Sequence, residues 1–456
     1  MRLSRPAHTA LVAVLLFAPT VAQGPLPAEQ PDEVKEPPAP APTKEGEGVL
    51  ALHAAKVLTA ALEGEQVIDG GTVLVEDGKI LAVGERDEIE VPEGAEVRDL
   101  GDQWIMPGLV ELHCHVGAPV DMFPVEINAP VYLANPGLRV SASVVPENRH
   151  LRRGLAGGVT TVLYIPGSAS NVGGQGVLLK IGHDTYEEME LRNPGSLKVA
   201  QAGNPESWGP GVARSFQNWH TRNLFRRGRA YAERWEAFER GEGEEPLVDL
   251  QLEVFRDLFA HRTQISTHTQ FYQVVMTTIR MLRVEFGLDV YLDHGTFDGF
   301  RAAELAEEEG VPAIIGPRML TRSVNFPGHG AYDTDGRILG ICAEYQRRGH
   351  KHIGFNTDCV DDGTRFNVPA QEELSLQAAM AQRYGMTDFD LESVRGLTII
   401  PAMAAGLEER LGSLEPGKDA DLVVLEGDPA DPRTAVSLVF TDGEVVYDPE
   451  VDGRLW

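Results

Sequence analysis

Met106-Pro107-Gly108-Leu109-Val110-Glu111-Leu112-His113-Cys114-His115 is the stretch whose reading decides the architecture. Leu109 to Cys114 is a mostly apolar run of strand length, and it ends on two histidines separated by one residue. Side chains at i and i+2 share one face of a strand, so both imidazoles point the same way. Ligand-type side chains at the tip of a strand suit a barrel, where the C-terminal strand ends converge on one face. Working outward, runs at 108–114, 159–165, 177–181, 197–202, 263–268, 289–294, 312–316 and 352–357 read as strands. Helical stretches such as Phe300–Glu309 and Gln371–Arg383 separate most of them. That alternation predicts a parallel (β/α)8 barrel over residues 106–405.

The later strand tips carry the same chemistry. His268 closes the fifth run, His294 closes the sixth, Asp358 follows the eighth, and Lys198 sits in the fourth. Imidazole and carboxylate ligands in one cavity suit zinc or a similar divalent metal. His350 and His352 repeat the spacing of His113 and His115 but begin the eighth run. Asp358 lies a further six residues along the chain, roughly 20 Å when extended, which puts His350 and His352 near the opposite rim. They are rejected as ligands. His150, His183, His220, His261 and His329 fall in loops or helices and read as non-metallic, with His220 and His329 in reach of the site's mouth.

The principal insertion, Gly203–Pro246, follows the fourth run and carries an Arg- and Trp-rich helix. An open doubly wound sheet is the rival fold, but no Gly-rich phosphate loop follows any strand. Gly173-Gly174-Gln175-Gly176 precedes a strand and reads as a turn. On either side of the barrel, residues 49–105 and 406–456 hold short β runs broken by Asp77-Gly78 and Asp442-Gly443, which mark tight hairpins. Both ends are expected to join in one small β-sandwich domain.

Composition narrows the function classes. The 456 residues include 69 Asp+Glu against 40 Lys+Arg, a formal charge of −29. A nucleic-acid binder needs a basic face, and an anionic membrane surface is disfavoured for the same reason. With 42% apolar and 24% charged residues, the chain reads as a globular enzyme. Cys114, Cys342 and Cys359 cannot build a disulfide scaffold. Cys114 alternates with the two histidines and so points into the strand–helix layer; two buried free thiols are the reading, with a bond to Cys359 in an oxidising compartment as the alternative. Arg2 and Arg5 precede a nine-residue apolar run, Ala10 to Ala18, and then the small residues Thr20 and Ala22. Residues 1–22 therefore read as a secretory signal peptide and 23–48 as a Pro/Glu-rich linker. The run is too short to span a bilayer, which needs about 20 residues, and no cysteine near the cleavage point offers a lipid anchor. An exported protein, periplasmic or extracellular, is expected.

The quoted stretch resembles the opening signature of the amidohydrolase superfamily, as do Ser266-Thr267-His268, Asp293-His294-Gly295 and Asn356-Thr357-Asp358. Gly412-Ser413-Leu414-Glu415-Pro416-Gly417-Lys418-Asp419-Ala420-Asp421-Leu422 is similar to the family's return into its small β-domain. Within the superfamily the imidazolonepropionase-like and prolidase-like branch is the nearest likeness. The resemblance implies that His113 and His115 hold one metal with Asp358, that His268 and His294 hold a second, and that Lys198 bridges them as a carboxylated lysine. It implies a metal-activated hydroxide attacking a C–N bond in an amide, cyclic amide or dipeptide, with Asp358 as the proton shuttle.

Alternatives remain at this point. If Lys198 is a bystander, the site holds one zinc-like ion and the reaction is deaminase-like; a third reading is a metal-containing binding protein without turnover. The substrate is a small molecule in the first two readings, and homo-oligomerisation is undetermined. Arg222 and Arg318 are the candidates for a substrate carboxylate, against a plainer reading of the insertion's arginines as a solvated helix face with Arg229–Glu233 and Glu236–Arg240 pairs. The two His-x-His pairs give a direct test. His350→Ala with His352→Ala should leave metal content unchanged, whereas His113→Ala with His115→Ala should lose metal; equal losses by elemental analysis would mean that the barrel's polarity is misread.

Overall fold

The computed structural model describes residues 48–117, 131–201, 205, 212–316, 340–360 and 369–455. The expected signal peptide and nearly all of the expected linker lie outside these residues, as do Arg318 and His329. Eighteen strands are described in three sheets. The first seven are β1 (Val49–His53), β2 (Lys56–Leu58), β3 (Val67–Asp69), β4 (Gly71–Glu76), β5 (Lys79–Glu85), β6 (Glu96–Asp99) and β7 (Trp104–Pro107). The central eight are β8 (Leu109–Cys114), β9 (Val159–Tyr164), β10 (Val172–Lys180), β11 (Glu190–Ala200), β12 (Gln264–Thr269), β13 (Val290–His294), β14 (Ala313–Ile315) and β15 (Ile353–Phe355). The last three are β16 (Leu422–Leu425), β17 (Val436–Thr441) and β18 (Glu444–Tyr447).

The central eight pair in chain order, and a bridge between Cys114 and Cys359 brings the first back against the last. His115 N–H donates to Cys359 O across that seam at 2.9 Å. All eight predicted strands are present, so the expected α/β barrel stands. One strand departs from the parallel rule. β10 runs antiparallel to both neighbours, because the chain turns back within residues 165–171 instead of crossing over by a helix. The glycines expected to form a turn lie inside this strand instead. Gly174, at φ +122°, sits where the β10–β11 register shifts, so glycine here serves a bulge within a longer strand.

Strands from both chain ends share one six-stranded sheet, ordered β18-β17-β16-β7-β2-β3, beside a four-stranded sheet ordered β5-β4-β1-β6. The Asp-Gly signals form the expected turns: Asp77 and Gly78 lie at φ +49° and +74°, Asp442 and Gly443 at +50° and +75°. Two consecutive left-handed residues match the twist of the flanking strands. Between β7 and β8 stands only Gly108, where an added Cβ would lie 2.1 Å from Thr160 Oγ1. That close approach explains glycine in the Met-Pro-Gly run, since the chain passes from sheet to barrel against β9.

The barrel interior packs Val110, Leu112, Leu163, Leu178, Tyr291 and Ile314 against Ile399 and Ile400 of the helix Ile399–Ala404. Each such fully buried aliphatic side chain contributes about 1.5–3 kcal/mol, which holds the strands in a fixed frame below the tips. The Lys418-Asp419-Ala420-Asp421 segment has a structural purpose of its own. Lys180, at the end of β10 and 1% exposed, meets Asp419 Oδ2 and Asp442 Oδ1 at 2.6 Å each and Asp421 Oδ1 at 3.2 Å. Asp419 is further held by Lys79 and by Arg410 Nε at 2.7 Å. The cluster bolts the barrel to the C-terminal strands. Removing one partner of a buried ion pair leaves uncompensated charge and costs about 3–5 kcal/mol. Lys180→Met should therefore lower the melting temperature sharply in calorimetry; a variant melting with the wild type would show that the cluster contributes nothing.

Candidate metal centre

Every predicted strand-tip residue that the structure describes faces one point above the barrel. His113 Nε2 lies 3.2 Å from Asp358 Oδ1, and His115 Nε2 lies 3.4 Å from the same oxygen. His294 Nε2 and His268 Nδ1 are 3.0 Å apart. Lys198 Nζ lies 3.4 Å from His113 Nε2 and 3.7 Å from Asp293 Oδ2. His113, His294 and Asp358 each present one ligand atom, all within 4.8 Å of one another. The cluster is buried except for Asp358, whose side chain is 24% exposed.

The histidines are oriented from behind. His115 Nδ1–H donates to Ile165 O at 2.9 Å, and His294 Nδ1–H donates to Gly316 O at 2.8 Å. Each bond fixes the tautomer and turns the Nε2 lone pair toward the cluster. His268 Nδ1 meets Ser168 Oγ at 2.9 Å, while its Nε2 is buried without a hydrogen-bond partner. An orphaned buried imidazole nitrogen is a donor that a divalent cation takes up, so the residue set fits a metal centre.

Burial first, then His294 and Lys198, hold His268 well below its ordinary pKa, and burial with His113 brings His294 down to about 4. Burial likewise lowers His115. Neutral imidazole is the ligating form. For His113, burial and Lys198 push downward, but Asp293 and Asp358 outweigh them and hold it above the usual value. Burial also depresses Lys198 against the pull of Asp293 and Asp358. Asp358 is held well below the carboxylate range because His113, His115 and His294 overcome the effect of burial.

Three contributors escaped the sequence reading. Asp293 Oδ1 lies 3.2 Å from His113 Nδ1, close enough for an ion pair but off the hydrogen-bond line. Strict strand alternation would point Asp293 away from the face that His294 uses. His294 adopts φ +69°, so the left-handed backbone breaks the alternation and lets both side chains reach the cluster. Glu111, two residues before His113, is fully buried and accepts from His113 N–H at 2.9 Å, from Thr357 N–H at 2.8 Å and from Thr357 Oγ1 at 2.7 Å. It ties β8 to the segment that carries Asp358; the i−2 carboxylate on one strand face was the available signal. Ser168 had none, because its loop meets β12 only in three dimensions.

Other candidates lie elsewhere. His350 and His352 face Glu307 at 3.1 and 3.7 Å, on the side where β15 begins. Arg222 is engaged by Glu285 and Asn218 at 2.8 and 2.9 Å, and the Arg229–Glu233 and Glu236–Arg240 pairs are present. All three cysteines are buried and free.

Comparison with known proteins converges on one family. The Amidohydrolase family model matches residues 335–454. A crystal structure of an amidohydrolase from Thermotoga maritima superposes with a TM-score of 0.75 at 30% identity, covering 88% of this chain and 100% of that one. The chain belongs to the amidohydrolase superfamily. Imidazolonepropionase of Sphingopyxis alaskensis is 24% identical over 398 residues, 83% of this chain and 92% of its own length. Amidohydrolase tasK of Hapsidospora irregularis is 26% identical over 423 residues, and the match spans 84% of this chain but 40% of tasK. This amidohydrolase is thus a hydrolase of small molecules with a metal-type site. Among its described residues no helix is long and apolar enough to cross a membrane.

Asp293 is expected to orient His113 from behind. Losing such a partner typically weakens metal affinity ~10–100-fold. Asp293→Asn should show that drop in a chelator competition titration, and an unchanged affinity would remove Asp293 from the centre.

Proposed function

We propose that this amidohydrolase hydrolyses a C–N bond in an amide, cyclic amide or dipeptide. The observation that carries the reading is the convergence of His113, His115, His268, His294 and Asp358, with the Nε2 lone pairs of His115 and His294 turned inward by backbone carbonyls. In this proposal His113 and His115 with Asp358 hold one divalent cation, and His268 and His294 hold a second. Zinc suits the imidazole-rich donor set. Such ions supply, when bound, Lewis acidity toward the carbonyl and a lowered pKa for water.

The chain's own residues do the rest. Asp358, ionised and the one partly exposed member of the cluster, accepts the proton of the attacking water; as the C–O bond forms and the C–N bond breaks, it returns that proton to the leaving nitrogen. Lys198 is buried with a depressed pKa; its neutral amine would add carbon dioxide, releasing a proton to water or bicarbonate, and the carbamate so formed would supply a shared anionic ligand. The likeness to imidazolonepropionase supports a cyclic amide as the first substrate to try. A second reading rests on Asp293, which at 3.7 Å favours the ammonium form of Lys198. A lysine kept charged leaves a single cation and a deaminase-like reaction. Export is proposed on residues 1–22 alone.

The test is turnover of a panel of cyclic amides and dipeptides by the zinc-loaded protein in bicarbonate. Turnover of none would overturn the reading. On a confirmed substrate, Asp358→Asn should lower kcat ~10²–10⁴-fold. Elemental analysis should give about two ions per chain and one or none in Lys198→Ala, the stoichiometry a carbamate-bridged pair requires; one ion in the fully loaded intact protein would select the mononuclear reading.

A further inference from the structure

The insertion after β11 folds as the helix Arg214–Glu239, and between it and the segment 131–136 lies a cavity of about 460 Å³. Its floor is Leu224 and Leu252, both buried; its walls are Trp219 and Tyr132, which leave 59% and 64% of their surfaces exposed. Large aromatic faces left open around a concavity are binding surface. Arg227 stands at this cavity, exposed and without a hydrogen bond or ion pair to any described residue. The other arginines along the helix are engaged: Arg222 and Arg226 by Glu285, Arg229 by Glu233, and Arg234 over the Tyr231 ring. In a chain of charge −29, an unpaired guanidinium beside open aromatic rings selects an organic anion with an apolar body.

The cavity wall is also wired to the metal centre. His220 Nδ1–H donates to Asn171 Oδ1 at 2.8 Å, and Thr221 Oγ1 donates to the same oxygen at 3.1 Å. Asn171 Nδ2 donates in turn to Ala200 O at 2.7 Å, and Ala200 is the register partner of His268. One strand spacing, about 4.8 Å, separates those two backbones. The same 165–171 loop supplies Ser168 to His268. The cavity wall therefore leans on β11 beside the strand that carries His268.

We propose that this cavity is the specificity subsite, which seats an aromatic or bulky apolar group of the substrate and pairs its carboxylate with Arg227. This rests on the hydrolase reading above, and it assigns the recognising residues that the reaction alone leaves open.

Calorimetric titration of the full-length, metal-loaded protein with 3-phenylpropionate, 3-phenylpropanamide and acetate tests it. Binding of 3-phenylpropionate at one site is expected, with acetate and the uncharged amide each weaker by about tenfold or more. Arg227→Ala and Trp219→Ala should each lose about tenfold, and Arg226→Ala, paired to Glu285 on the same helix, should bind as the wild type does. Both tested side chains are exposed, so their truncation leaves the core intact. On a confirmed aromatic substrate, Trp219→Ala should raise KM with kcat nearly kept. Undetectable binding, equal affinity in Arg227→Ala, or acetate binding as tightly as 3-phenylpropionate would overturn the subsite. An unchanged KM in Trp219→Ala would overturn its role toward substrate. Because the titration needs no turnover, these outcomes are separate from a failure of the hydrolase reading.

Discussion

His115 N–H to Cys359 O, with the bridge between Cys114 and Cys359, joins the first barrel strand to the last. The site depends on that seam. Without closure, β8 and β15 would be two unpaired sheet edges, exposed to pairing with other chains. With it, the strand ending in His113 and His115 lies beside the residue that precedes Cys359, which is Asp358. Glu111 reinforces the joint from inside by taking hydrogen bonds from both sides of the seam. A single buried carboxylate thus sets the spacing between two residues far apart in sequence. Burial pushes its pKa up to about 7, a measure of how little solvent reaches the seam.

Two buried charge clusters organise the molecule differently. At the barrel's join with the C-terminal strands, the ammonium of Lys180 is surrounded by carboxylates, and Lys79, Arg410 and His183 balance the excess. Its ion pairs run from Lys180 on β10 to Asp419, Asp421 and Asp442 and hold the two parts together. At the metal centre the balance is left incomplete. His268 Nε2 has no hydrogen-bond partner, and His294 and Asp358 both occupy left-handed backbone at φ +69° and +52°. Residues held there cost free energy that surrounding contacts must offset, and such positions cluster at functional sites. Gly316 shows how it is offset, since its carbonyl fixes His294, and an added Cβ on it would lie 2.2 Å from Asn356 O.

In the proposals above, chemistry and recognition fall to different parts of the chain. The strand tips carry the candidate ligands, as a barrel scaffold permits. The insertion after β11 brings the long helix with its open aromatic rings and its unengaged Arg227 to the side of that scaffold. Loops and insertions can vary without disturbing the frame, which is why they carry specificity in this architecture. Arg222, the more obvious carboxylate binder by position, is occupied by Glu285.

The sequence by itself determined the eight strands, the two Asp-Gly hairpins, the joining of both ends in one sheet, and the strand tips where ligand-type residues gather. Those features follow from local rules: two-residue alternation, turn chemistry and the convergence of barrel strand ends. It also separated His113 and His115 from His350 and His352, because chain direction alone assigns them to opposite ends of a strand. Tertiary structure decided what local rules cannot express. β10 runs backwards because a short return replaced a helical crossover, and its glycines are a bulge in a strand instead of a turn. Asp293 reaches His113 only because His294 leaves the regular strand conformation, and Ser168 reaches His268 across a hundred residues of chain. Which arginine is free and which is engaged was likewise settled by packing, since Glu285 approaches the helix from a distant part of the sequence and periodicity carries no information about that encounter.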